Sequence, residues 1–259
     1  MKTEIVPVSP YLAELWMKRN LCNRPLSESW SYELAKRMKR GEWKLNGESI
    51  KFSNDDILLD GQHRLKAIML SGVSSQMLVI RGVDSKSFDT MDQGKSRCAA
   101  DILAIKGEKN ATILASAAKL IFILKEYKPK PDFSERVTPI QIEKILALYP
   151  EIRESALVAK KVDKILTTSV AAGLWVLFWR KDRELANEFF ERLQDGAGLS
   201  KNNPIKTLRD RLIINSASNP KLRQKHICVF VIRAWNAVRS GRDMKICRYA
   251  EDEIFPEII

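Results

Sequence analysis

Ile57-Leu58-Leu59-Asp60-Gly61-Gln62-His63-Arg64-Leu65 is the stretch on which the reading of this chain turns. An apolar run with strand character passes through one glycine into residues that open polar and continue, through Leu65, Ile68 and Met69, at helical spacing. Strand, glycine and helix start in succession suit an anion. The first helical turn leaves backbone N–H groups without intrahelical partners, the helix dipole adds partial positive charge, and a glycine lets a phosphate approach the backbone. His63 and Arg64 add side-chain donors, and a guanidinium can fork onto two phosphate oxygens. A plainer reading stays open beside it: Asp60 caps the His63 N–H and the polar residues form a solvated first turn.

Outward from this stretch the first 105 residues read as an α+β unit. Ser27 is a helix N-cap, and the helix runs through Lys39 to a stop at Gly41. Ser49 to Phe52 and Ile57 to Leu59 are β-prone runs joined by the turn-forming Ser53-Asn54-Asp55-Asp56, which predicts a hairpin. Gly72 ends the helix that follows, and Met77 to Ile80 returns as a buried strand. From Asp101 onward the periodicity is helical. Ile113, Leu114, Ala117, Leu120, Ile121 and Leu124 form one apolar stripe, and Thr138-Pro139-Ile140-Gln141 has the hydroxyl cap and first-turn proline of a helix start. Further helices are predicted over Glu151 to Leu166, Ser169 to Arg180, Arg183 to Gln194, Pro204 to Ile214 and Leu222 to Val238. The expected organisation is a domain over 1–105 and a helical domain over 106–259.

Gly61-Gln62-His63-Arg64 resembles the phosphate-binding G-x-x-R box of the ParB/sulfiredoxin superfamily, in which partition proteins typically read G-E-R-R and sulfiredoxins G-C-H-R. Asn23-Arg24-Pro25, a helix, a strand pair, the box-bearing helix, Gly72 and the strand Met77 to Ile80 resemble the element order of a ParB N-terminal domain. Asp60-Gly61-Gln62-His63-Arg64 is also similar to the D-G-Q-H-R signature of ParB-like proteins from phages, prophages and DNA-modification loci. The resemblance implies a ParB/sulfiredoxin-like fold, a mobile-element setting, and a nucleoside triphosphate (CTP or ATP), with or without Mg²⁺, at the box. Asn23, Arg24, Gly61, Gln62, His63 and Arg64 are then the expected contacts. Asp92, Gly94 and Arg97 join them, since a D-x-G-x-x-R pattern recurs downstream of the box in similar phage proteins. Two departures matter. Gln62 stands where sulfiredoxins carry cysteine, so thiol chemistry is lost, and where ParB carries glutamate, and a neutral amide is a poor general base. Asp60 is the candidate carboxylate for Mg²⁺. The Gly94-Lys95-Ser96 string is no P-loop, because Asp89 stands where the leading glycine is required.

Charge adds a second expectation. The formal charge is +12, and Lys201 to Arg248 alone holds 12 basic residues against Asp210 and Asp243, an excess suited to a polyanion. Lys206, Arg209, Arg211, Lys221, Arg223, Arg239, Arg242, Lys245 and Arg248 are the expected contacts to nucleic-acid phosphates, provided the helices present them on one side. The bland alternative is a solubilising face, or one that docks on acidic parts of the same chain such as the tail at Glu251, Asp252, Glu253 and Glu257. Only His63 and His226 are present, which excludes a multi-histidine metal centre. Cys22, Cys98, Cys228 and Cys247 show no C-x-x-C pair, which points to reduced, mostly buried thiols and a cytoplasmic protein. No apolar run reaches the roughly 18 residues of a membrane span, so no membrane partner is expected.

The leading expectation is a DNA-associated protein that binds nucleotide or phosphate at the box and nucleic acid through its basic helical part, with a homodimer as one compatible assembly. One rival is a DNA-directed nuclease or nucleotide hydrolase using Asp60, His63 and Arg64 as catalytic residues. Another is a regulator whose basic face meets an acidic protein.

Overall fold

The computed structural model describes residues 1–21, 23, 25–90, 98–127, 129–250 and 252–259. The chain divides into two compact units, Met1–Lys95 and Ser96–Ile259. The mixed α+β class holds, and the helix at 99–105 goes with the second unit. Its Leu103 is buried in the helical core, so the division lies nearer 95 than 105.

Unit 1 is built on a four-stranded sheet of order β1-β4-β2-β3, with β1 at Lys2–Val8, β2 at Ser49–Ser53, β3 at Leu58–Asp60 and β4 at Ser75–Val83. The β2–β3 pair is the expected antiparallel hairpin, and β2 runs parallel to β4. Three helices accompany the sheet: α1 at Pro10–Met17, α2 at Glu28–Lys39 and α3 at Gln62–Ser71. Met77 and Val79 of β4 are fully buried while Leu78 and Ile80 are half-buried, the period-2 pattern of a sheet covered on one face. The core joins Trp16, Leu34, Met38, Ile50, Phe52, Leu65 and Ile68, with the Trp16 and Phe52 rings edge to face at 5.3 Å.

Two elements, β1 and α1, escaped the sequence reading. Strand β1 pairs antiparallel with β4 alone, and its residues from Lys2 to Ile5 are exposed, so it carries neither an apolar alternation nor a buried run. Its β state comes from pairing with β4. Helix α1 is capped by the Ser9 hydroxyl, which accepts from the Leu12 N–H at 3.2 Å, and carries proline at its start.

Unit 2 is helical among its described residues: α4 (Ala99–Ile105), α5 (Ala111–Glu126), α6 (Pro139–Leu148), α7 (Ile152–Lys161), α8 (Thr168–Trp179), α9 (Arg183–Asp195), α10 (Pro204–Ala217) and α11 (Gln224–Arg239). At the start of α6 the Thr138 hydroxyl accepts from the Gln141 N–H and Gln141 Oε1 from the Thr138 N–H, a reciprocal cap. Helix α7 stops at Lys161, short of the expected Leu166, although Val162 and Leu166 are both buried. Helix α8 is the centre: every residue from Val170 to Phe178 is buried, and α5, α7, α9 and α11 pack against it. Phe178 stacks on Trp235 with ring centroids 4.3 Å apart. No helix among the described residues is long and apolar enough to cross a membrane.

Candidate phosphate site and basic surface

Gly61 is the N-cap of α3, in the left-handed region at φ 102°. A Cβ there would lie 3.0 Å from Ile50 Cγ1 and 3.1 Å from Ile50 Cα. The position therefore requires glycine for backbone conformation and for contact with β2. Gly61 is itself buried, whereas His63 and Arg64, two and three residues on, are half-buried. As a glycine, Gly61 offers no side chain to cap the first turn of α3. The N–H groups of residues 62 to 64 precede the first intrahelical bond, from the Leu65 N–H to the Gly61 carbonyl at 3.0 Å.

Asp60 does not cap His63. Its Oδ2 accepts from Lys51 Nζ at 2.7 Å and from Arg64 Nη2 at 2.9 Å. Arg64 Nη2 also donates to the Ser49 carbonyl at 2.6 Å and Nη1 to Glu48 at 2.8 Å. The guanidinium expected on phosphate thus lies against strand β2 and its lead-in, with its side chain only 15% exposed. The carboxylate expected to hold Mg²⁺ is thus shared by two cations through Oδ2, and among the described residues no group of three or more His, Cys, Asp or Glu is placed to hold a metal ion.

Gln62 is buried and its Oε1 accepts from Asn20 Nδ2 at 3.0 Å. Asn23 Nδ2 in turn donates to Asn20 Oδ1 and to the Leu58 carbonyl, both at 2.7 Å. Asn23, Asn20 and Gln62 form an amide chain that ties the segment after α1 to the hairpin and to α3. His63 Nε2 accepts the Ser27 backbone N–H at 3.0 Å, so this nitrogen is unprotonated in that bond. Ser27 is the N-cap of α2, and the N-termini of α2 and α3 therefore meet at the His63 ring. Asn20, Lys51 and the Ser27–His63 contact were not anticipated. Lys51 lies directly across the hairpin from Asp60, legible once the strand register is known, whereas Asn20 lies 42 residues from Gln62 with no periodic signal. Arg24, Asp92, Gly94 and Arg97 lie outside the described residues.

The basic residues of unit 2 separate into groups. Arg209 is spent inside the fold: Nε donates to the Leu193 carbonyl at 3.1 Å and Nη2 to that of Gln194 at 3.3 Å, closing the C-terminus of α9. Arg239 lies over the Trp235 ring at 6.0 Å, Arg242 is 3.5 Å from the Ser240 hydroxyl, Arg223 is the N-cap of α11, and Lys221 is exposed. Arg233 pairs with Glu253, the docking on the acidic tail that the bland alternative describes. This contact holds the Glu253 carboxyl below its usual range. Lys206, Arg211, Lys245 and Arg248 instead line one groove. Of the cysteines, Cys228 and Cys247 are buried and Cys98 is exposed, while Cys22 lies outside the described residues. No family model, curated protein or solved structure matches the chain.

Proposed function

We propose that this is a nucleic-acid-associated protein of ParB/sulfiredoxin-like kind, whose unit 1 binds the phosphates of a nucleotide beside His63 and whose unit 2 contacts a nucleic-acid backbone. The observation that carries the first half is the meeting of two helix N-termini at His63, one of them with glycine at its N-cap. Both helix dipoles direct partial positive charge to that place. The order α2, β2–β3 hairpin, α3, Gly72, β4 supports the ParB-like reading, because it is the order the resemblance implies. In this reading Arg64 and Asp60 hold α3 on the sheet, and the direct contacts fall to backbone N–H groups and His63. The nuclease or hydrolase rival has less support, since Asp60 is paired with two cations and Gln62 is buried.

Thermal denaturation in CTP or ATP, each with and without Mg²⁺, tests it. A ligand that binds only the folded state raises the midpoint with concentration. The expected result is a rise with at least one nucleotide that His63→Ala reduces; no rise at millimolar concentration with any of them overturns the nucleotide half.

A further inference from the structure

We infer that the groove between α10 and the segment 245–248 is the track for a nucleic-acid phosphodiester backbone, with Arg211 as its anchor. The inference rests on the nucleic-acid half of the function proposed above and replaces a diffuse basic surface with one place. Five cations line the groove, Lys201, Lys206, Arg211, Lys245 and Arg248, against one carboxylate, Asp210, which pairs with Lys206 at 3.3 Å. The cavity is about 600 Å³, larger than a single phosphate needs. Such an excess of like charge around one depression favours a ligand with several phosphates over an isolated one.

Arg211 points to a ligand rather than to solubility. Its guanidinium is half-buried and its Nε is shut off from solvent without an acceptor. Among the described residues no carboxylate pairs with it; its neighbours are the Phe230 ring, 5.9 Å away, and the Cys247 thiol. A partly desolvated, unpaired cation is costly unless an anion completes it. A buried Nε without an acceptor is shared with Arg37 and Arg64 of unit 1, but Arg64 has acceptors for both Nη atoms and Arg37 has Glu42 and Glu33 as charged neighbours, whereas Arg211 sits among the four other cations of the groove. The exposed Ile214 and Ile246 on the groove walls supply apolar surface for sugars and base edges, and no aromatic side chain lines it for base stacking. Contacts here should accordingly be blind to sequence.

The experiment is a salt titration of binding to two unrelated DNA duplexes and to one single strand, with inorganic phosphate as a separate arm. Wild type is compared with Arg211→Gln, with Lys245→Gln/Arg248→Gln, and with Lys161→Gln/Lys164→Gln as a charge-matched control on exposed residues elsewhere in unit 2. Circular dichroism checks that each variant folds, and the Lys245/Arg248 pair, both exposed, keeps the test valid if Arg211→Gln does not. The slope of log K against log[salt] should become shallower by about two for Lys245→Gln/Arg248→Gln, with an affinity loss of about tenfold or more near 0.1 M salt on every sequence. Arg211→Gln should weaken binding similarly, and the control should match wild type. If wild type binds but the groove variants bind equally well, or only Arg239→Gln/Arg242→Gln loses affinity, the groove assignment is wrong and the broader function survives. If wild type binds no nucleic acid even near 50 mM salt, both fall. Competition by millimolar inorganic phosphate as effective as by DNA would show a single-anion site and overturn the track.

Discussion

At Gly61 two constraints coincide, a left-handed backbone and van der Waals contact with Ile50. Gly61→Ala should destabilise unit 1 by about 1–3 kcal/mol, read as a lower denaturation midpoint, because neither the backbone nor β2 can yield cheaply. The box residues fare differently from what their types suggest. Arg64→Ala should lower stability by about 1–3 kcal/mol even without ligand, since it strips donors from the Ser49 carbonyl and from Asp60. An unchanged midpoint would return Arg64 to the role of a free phosphate donor. Gln62→Glu should give no gain in nucleotide hydrolysis, because position 62 is buried in an amide chain. Burial also acts on Cys247, whose thiol is pushed up to about 11 despite the opposing pull of Arg211 and Arg233. A group with a raised folded pKa contributes stability that is intact below the unfolded value, 9.0 here, and is lost as pH rises through the folded one. Stability should therefore decline between about pH 9 and pH 11, and Cys247→Ala should flatten that decline in a series of chemical denaturations.

At the scale of elements, α8 tests how tightly unit 2 is packed. Gly173 faces α5 so closely that a Cβ would meet Leu120 Cδ2 at 2.9 Å and Leu120 Cβ at 3.2 Å. Gly173→Val should cost about 1–3 kcal/mol by overpacking, and Leu120→Ala in the same chain should recover part of it. Additive losses in a double-mutant cycle would show that the two positions do not touch. The helices were legible where caps and apolar stripes agree. Ser27, Thr138 and the stripe from Leu114 to Leu124 all work locally, through side chains within four residues of one another. Strand β1 was not legible, because its partner β4 is some seventy residues away and its residues from Lys2 to Ile5 are exposed.

In the molecule as a whole, two hydrophobic clusters are distinct, one around Phe52 and Ile68 and one around Phe178 and Trp235. Calorimetry should show Gly61→Ala shifting one part of the unfolding transition and Gly173→Val another; a single transition shifted equally by both would mean that the units unfold together. The sequence by itself determined the α+β character of the first part, the helical character of the second, the start of α3 at the glycine, and the excess of positive charge. Each of these is a property of composition or of residues close together along the chain. Only the tertiary structure decided which charges stay available to a ligand. Arg64 and Arg209 carry the same guanidinium as Arg211, yet folding brings Asp60, Glu48 and the Ser49 carbonyl to the first and the last carbonyls of α9 to the second, and among the described residues brings no acceptor to the buried Nε of the third. A side chain's type sets what it can bind, but its partners are assembled from distant segments, and a local reading of the chain does not contain them.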